Sequence, residues 1–265
     1  MVLKNRFALK ETDSNRWSQI PRQFVVTTPP SLPEKPLISI KKAYMRKLIL
    51  PVYMTMDGIV QAPGGPQEDS TNNFGWGGWM FPFSDPMLDE KLAALAAEPY
   101  DLLLGRRTYE IFAAYWPYQV NHPMADLFNR IEKYVVATTA VDTSWENSTL
   151  ISHHVVEKIQ ELKAQEKPNL LVWGSRQLVQ TLFRHHLVDV LQIWTCPLTL
   201  GRGKKLFEEG TQPQNWKLMD SVVSTTGVIV ATYVPNGPVQ AGSFASEQVS
   251  EKERLRRQKL ANEGG

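Results

Sequence analysis

The feature that most restricts the fold is a recurring junction, in which a strand-sized apolar run stops at glycine or threonine and hands over to a segment of helical periodicity. Apolar runs bounded by Gly, Pro or polar clusters predict strands over 47–53, 102–104, 134–138, 170–173 and 190–195. Helical spacing predicts helices over 86–97, 108–115, 124–130, 155–164 and 177–185. Asp85-Pro86 supplies an N-cap and a first helical residue, after which Leu88, Leu92 and Leu95 follow at helical spacing. Two further runs, 216–224 and 228–234, flank Thr225-Thr226-Gly227 and predict a terminal hairpin. Strands interleaved with crossover helices make an α/β layered domain on a mostly parallel sheet, to which the hairpin adds antiparallel strands.

This pattern occupies 45–236. Residues 1–44 hold Pro21, Pro29, Pro30, Pro33 and Pro36 and 8 Lys/Arg against 3 Asp/Glu, and read as an irregular basic extension. The extension lacks the compact apolar stretch of a secretory signal. A transit peptide, a partner-binding arm, and an upstream extension before a domain start at Met45 all stay open. Residues 237–265 read as a charged tail, with a short solvated helix over 248–260. The body between carries 16 basic against 20 acidic residues, which argues against a broad nucleic-acid-binding surface. No apolar run approaches the roughly 20 residues of a membrane-spanning helix. The lone Cys196 permits no internal disulfide and no CxxC zinc site, and points to a reducing, cytoplasmic compartment. His153-His154 and His185-His186 are adjacent pairs without ligand spacing, so no metal is expected.

Ligands of open α/β sheets gather beyond the carboxyl ends of the strands, and three junctions there are informative. At Gly105-Arg106-Arg107-Thr108, two guanidinium groups meet a helix N-terminus, a combination suited to phosphate oxygens. At Trp173-Gly174-Ser175, a strand runs into a helix whose first residues include Gln177 and Leu178. Its backbone donors can hold a pyrophosphate, with Gly174 allowing close approach. Thr138 and Thr139 end a third strand with two hydroxyls. There is no full G-x-G-x-x-G, P-loop or Gly-x-Ser-x-Gly elbow.

Taken together, these junctions resemble the dihydrofolate reductase fold, most strongly at Gly105-Arg-Arg-Thr-Tyr-Glu110. Met54-Thr-Met-Asp57-Gly58 is similar to the Ser-x-Asp-Gly element of the riboflavin-biosynthesis reductase branch. Pro197-Leu-Thr-Leu-Gly201-Arg-Gly203-Lys-Lys-Leu-Phe207 looks like that branch's Pro-x-x-x-Gly-x-Gly-x-x-Leu-Phe loop. The resemblance spans about 46–235 and implies a three-layer reductase domain that binds NADPH through Gly105, Arg106, Arg107, Thr108, Thr138, Thr139, Trp173, Gly174, Ser175, Gln177 and Leu178. An Arg pair at the adenosine end also favours the extra phosphate of NADPH over NAD. The nicotinamide is then expected near Asp57, Gly58 and Trp173.

For the substrate, Asp57 and Asp89 are the candidate catalytic acids, although an acid in a first helical turn is also explained by the macrodipole. Trp76, Trp79 and Phe83, in the aromatic and glycine-rich stretch 72–83, are expected to form a lid or wall against a planar heterocycle. Burial in the protein or against a dimer partner is the alternative. Arg202 and Lys204 are candidate contacts to a phosphoribosyl group. The zinc deaminase signature that accompanies this reductase in bifunctional riboflavin enzymes is missing from the sequence. The expectations are thus an NADPH-dependent reductase of a small heterocycle, with the ribosylaminopyrimidine reductase of riboflavin synthesis as the nearest named activity. Folate or pterin reduction and a non-catalytic nucleotide-binding module are the rivals. The resemblance also implies a homodimer.

Overall fold

A computed structural model of the chain describes residues 45–243 and 249–263. The expected arm at 1–44 and the start of the tail helix at Gln248 lie outside the described residues. Eight strands form one sheet: β1 (Leu48–Thr55), β2 (Tyr100–Gly105), β3 (Lys133–Val136), β4 (Ser148–Ile151), β5 (Asn169–Leu171), β6 (Val190–Cys196), β7 (Trp216–Val223) and β8 (Ile229–Pro235). Their order is β4-β3-β2-β5-β1-β6-β8-β7. The first six positions pair in parallel, and β8 and β7 complete the sheet antiparallel. Among the described residues six α-helices accompany them: α1 (Pro86–Leu95), α2 (Arg106–Tyr115), α3 (Pro123–Arg130), α4 (Val155–Lys163), α5 (Arg176–Arg184) and α6 (Glu251–Glu263). No helix among the described residues is long and apolar enough to cross a membrane.

The period of two in β1 sorts its side chains onto two faces. Leu48, Leu50, Val52 and Met54 meet Ile159 and Leu162 of α4 and Leu178, Val179, Leu182 and Phe183 of α5 in one core. The opposite face carries two separate clusters. One joins Trp194 and Cys196 of β6 to Leu88 of α1, Ile59, Phe74 and Trp79, with Tyr53 at its border. The other joins Leu102 and Leu104 of β2 to Tyr109 of α2 and Phe128 of α3, with Trp173 at its border. The sheet is therefore the middle of three layers, and the face opposite α4 and α5 is divided above β1 and β5.

The caps explain the helix starts. The Asp85 carboxylate accepts from Leu88 N (3.0 Å) ahead of Pro86, and its second oxygen accepts from Thr225 N and Oγ1, tying the hairpin turn to α1. The α3 carbonyls are capped by the buried Lys133, whose Nζ donates to Phe128 O and Ile131 O. At the opposite edge of the sheet from the strand ends, buried Arg46 donates to Asp101 Oδ2 and Pro168 O (2.5 Å each).

Most boundaries differ from expectation by one or two residues, and three of these shifts fall at the strand ends that face the site. α2 begins at Arg106 rather than 108, because Gly105 itself occupies the extended N-cap position. β5 and β3 end two residues early, so Trp173 and Thr138 stand beyond the ladders. β4 was not expected: Ser148, Thr149 and Leu150 lie at an edge and are largely solvated, which gives them no apolar alternation. The tail helix spans 251–263 rather than 248–260 and buries none of its residues.

Candidate functional site

The carboxyl ends of β3, β2, β5, β1 and β6 share one edge of the sheet, and most sequence-predicted residues meet there. At its centre β2 and β5 approach closely. Gly105 N donates to Gly174 O (2.9 Å). A Cβ on Gly105 would stand 2.1 Å from Ser175 Oγ, and one on Gly174 would stand 2.8 Å from Thr108 Oγ1. Gly174 has φ +126°, a conformation that L side chains rarely adopt, and its peptide bond to Ser175 is cis. This contact brings the N-termini of α2 and α5 side by side.

Neither helix has a side-chain cap, and neither has an acid in its first turn. Both first turns are instead basic, with Arg106 and Arg107 on α2 and Arg176 on α5. Positive charge there opposes the helix macrodipole, and the free N–H groups stay open. Arg106 is held by Glu110 four residues on (2.8 Å), Arg107 stands 3.8 Å from Asp69, and Arg176 pairs with Glu208. Thr138, Thr139 and Gln177 are exposed beside this cradle. Leu178 corrects an expectation: its side chain is buried in the core against α4 and β1, so only its backbone amide belongs to the helix start.

The floor of the divided face is aromatic. Tyr53 stacks on Trp173 (centroids 6.4 Å, 29°) and meets Trp194 edge-on (5.3 Å, 71°). Burial, with smaller contributions from Cys196 and Asp89, pushes the Tyr53 phenol up to about 12. Burial likewise pushes the Cys196 thiol up to about 12, and its Sγ lies 3.3 Å from Met80 Sδ. Asp89 is exposed in the first turn of α1 and makes no hydrogen bond to Tyr53.

Asp57 is a loop staple. It accepts from Thr55 Oγ1 (2.5 Å), Gly201 N (2.7 Å) and Leu200 N (3.2 Å). Partial desolvation raises its carboxyl, but the bonds from Thr55, Gly201 and Leu200 outweigh it and hold the group below the usual carboxylate range. An ionised carboxylate so held has no proton to deliver. Beside it, a cavity of about 570 Å³ is lined by Gln61, Phe74, Arg176, Arg202, Lys204 and Lys205, among others. Arg202 donates to Asn73 O (2.9 Å), and Lys204 Nζ pairs with Asp69. Both cations therefore knit the 57–74 and 197–209 loops together. Burial raises the Asp69 carboxyl, but the bonds from Lys204 and Thr71 together outweigh it and hold the group below the usual carboxylate range.

The aromatic lid does not assemble as expected. Trp79 is 6% exposed and donates from Nε1 to Gln61 O (2.7 Å), which makes it a core residue. Phe83 packs half-buried against the same cluster, whereas Trp76 is exposed. The described residues contain no metal-holding group of three or more His, Cys, Asp or Glu. Tyr53, Arg176, Asp69 and Gln61 were not singled out in sequence. Arg176 was findable, because it directly follows Gly174-Ser175.

A parallel sheet with a terminal antiparallel pair, two helix N-termini meeting at a glycine contact and a divided aromatic face together define a dihydrofolate-reductase-like α/β domain. The model of the RibD C-terminal domain family matches residues 46–230, and the chain belongs to that family. Its likeness to individual proteins is more distant. The uncharacterized protein YyaP of Bacillus subtilis (strain 168) is 23% identical over 196 residues, covering 72% of this chain and 96% of that protein. The crystal structure of a putative riboflavin biosynthesis protein from Shewanella sp. PV-4 superposes with a TM-score of 0.55 at 19% identity, covering 72% and 99% of the two chains. A pyrimidine reductase-like protein from Corynebacterium diphtheriae gives 0.52 at 12% identity, covering 77% and 96%. These likenesses support the same fold, and the family supports a reductase of the RibD type.

Proposed function

We propose that this protein is an NADPH-dependent oxidoreductase acting on a small, planar heterocyclic substrate, nearest in kind to the reduction of the ribosylaminopyrimidine intermediate of riboflavin synthesis. One observation carries the reading: three arginines stand in the first turns of two adjoining, uncapped helices, where the helix dipoles disfavour cations and favour anions. An anionic ligand with more than one phosphate compensates this arrangement. The cradle fits a dinucleotide, because Gly105 and Gly174 leave no side chain between the helix starts.

Within this reading the N–H groups of α2 and α5 hold the pyrophosphate, and Arg106 and Arg107 exchange Glu110 and Asp69 for the phosphate on the adenosine ribose. Thr138 and Thr139 border the adenosine side. The bound nicotinamide supplies the hydride. Tyr53 and Trp173 furnish the surface on which the reacting rings stack, and Asp57 fixes the loop that closes the cleft. Phosphate contacts from Arg202 and Lys204 require those side chains to leave Asn73 and Asp69. Folate reduction through Asp57 is not favoured, because its carboxylate is committed to Thr55 and to backbone amides, whereas Asp89 is exposed on α1 yet close enough to act on the Tyr53 phenol.

The test is nucleotide selectivity of the full chain. NADPH should quench tryptophan emission at concentrations at least tenfold below NADH. Equal responses overturn the cofactor assignment. Tight NADPH binding with no NADPH oxidation on any pyrimidine or pterin substrate supports a binding module instead.

A further inference from the structure

The face of the sheet that carries α4 and α5 is only partly covered. β1 turns Val52 and Met54 toward those helices, and the register carries the same face through Ile193 and Thr195 of β6 to Ala231 and Ile229 of β8 and on to Ser221 and Val223 of β7. The core beneath α4 and α5 reaches Leu191 of β6, with Trp216 and Tyr233 packed at its margin. Beyond them Leu218, Val223 and Ile229 stand 50%, 67% and 45% exposed on the bare hairpin. Alternation ordinarily gives the solvated face of an antiparallel ribbon polar side chains. Here the arrangement is reversed. Lys217 and Asp220, the charged residues of β7, point to the opposite face, where Asp220 pairs with Lys91 of α1 (3.4 Å). β8 carries no charged residue.

Contiguous exposed apolar surface marks a contact with another macromolecular surface, and the charges of the chain narrow the occupant. Residues 1–44 carry 8 Lys/Arg against 3 Asp/Glu and meet no acid on this face. α6 is charged along its whole length and buries none of its residues. A symmetric pair, by contrast, sets residues near its two-fold axis against their own copies, where any charge would meet its like. A face without charge satisfies that condition. We infer that the outer face of β7 and β8 is the contact surface of a symmetric dimer, packed face to face with the same hairpin of a second copy. Edge-to-edge pairing of β7 is not the route, because its ladder to β8 slips by one residue between Leu218 and Asp220, and a bulge there bends the open edge of the sheet. By strand spacing, β6, β8 and β7 together present a face of about 25 by 14 Å, which is small for a stable interface, so the dimer dissociates in the micromolar range.

Sedimentation velocity of the full-length protein over about 1 to 100 μM tests this, and the wild type should pass from monomer to dimer across that range. Val223→Lys and Ile229→Lys each place an unpaired charge in the contact and should raise the dissociation constant about tenfold or more. Their thermal midpoints, read where the wild type is monomeric, should change little, because both side chains are already exposed. Val223→Thr combined with Ile229→Thr keeps the side-chain shape and strand propensity, and should weaken the dimer in the same direction even if a lysine variant fails to fold. Lys217→Ala, on the other face, should self-associate as the wild type does. Added salt should leave the dimer in place, because no charge holds it. A wild type that stays monomeric at the highest concentration, whether or not it captures another protein, overturns the second copy as the occupant. A dimer that the Val223 and Ile229 variants leave intact, that Lys217→Ala abolishes or that salt dissociates has its contact elsewhere and overturns the assigned face. No nucleotide is needed for the contact, so its failure leaves the reductase reading untouched.

Discussion

Replacing Gly105 by alanine probes the contact on which the cradle depends. Gly105 has φ −77° and ψ 158°, which alanine adopts freely, so the backbone raises no objection. Considered alone, the loss of unfolded-state freedom would stabilise the protein by about 0.4–1 kcal/mol. The new Cβ, however, would stand 2.1 Å from Ser175 Oγ and 2.9 Å from both Ser175 Cβ and Ser175 N. The hydroxyl can rotate away, but the backbone nitrogen cannot, so the start of α5 must retreat from β2. That strain costs about 1–3 kcal/mol, and weakening the Gly105 N to Gly174 O bond adds about 1 kcal/mol. The net expectation is a loss of about 1–3 kcal/mol in urea unfolding, accompanied by weaker NADPH binding as the helix starts separate. Adding Ser175→Gly removes two of the three close contacts and should restore a good part of the loss, a non-additivity that a double-mutant cycle detects. An alanine variant as stable as the wild type, or a second change that adds its own full cost, would refute the argument from close approach.

Other outcomes follow from named contacts. Changing Arg106 and Arg107 together to alanine should weaken NADPH binding tenfold or more and leave NADH nearly unaffected, while the thermal midpoint holds or rises because two cations leave a positive helix end. A parallel loss of both nucleotides would show that the arginines do not read the additional phosphate. Asp101→Ala strands the Arg46 guanidinium, whose side chain is 0% exposed, and should cost about 3–5 kcal/mol in denaturant unfolding. A change below 1 kcal/mol would mean that water reaches the pair. The Asp57 carboxyl lies below its ordinary value when folded, so its contribution to loop stability is present above about pH 4 and is lost as pH falls through the folded value. Amide protection factors at Leu200 and Gly201, taken against the intrinsic exchange rate at each pH, should fall on acidification in the wild type but stay low and insensitive to pH in Asp57→Asn.

Most of the cofactor half of the site was legible because its chemistry is local. Gly105 to Thr108 and Trp173 to Ser175 are contiguous, and a glycine that ends an apolar run announces the backbone approach seen between them. The substrate half depends on which way side chains point. The aromatics in 72–83 looked alike in sequence, yet the Gln61 carbonyl draws Trp79 into the core and leaves Trp76 outside. Tyr53 passed as an ordinary strand residue, since its ring contacts with Trp173 and Trp194 exist only once the sheet is folded. Lys204 and Arg202 read as free cations because Asp69 and Asn73 lie some 130 residues away in the chain.

The two central strands of the sheet also determine when a working site can exist. β1 meets β5 and β6 across the greatest separation in the sheet, with Leu48 N bonded to an Asp189 oxygen 141 residues further along. Such pairings form late, because much of the chain must be ordered before they return any energy. Tyr53 and Trp173 become neighbours only when this closure occurs, whereas Gly105 and the start of α2 can form from adjacent residues. During refolding, tryptophan quenching by NADPH should therefore appear together with the slowest phase, and nucleotide capture reports the completion of the sheet.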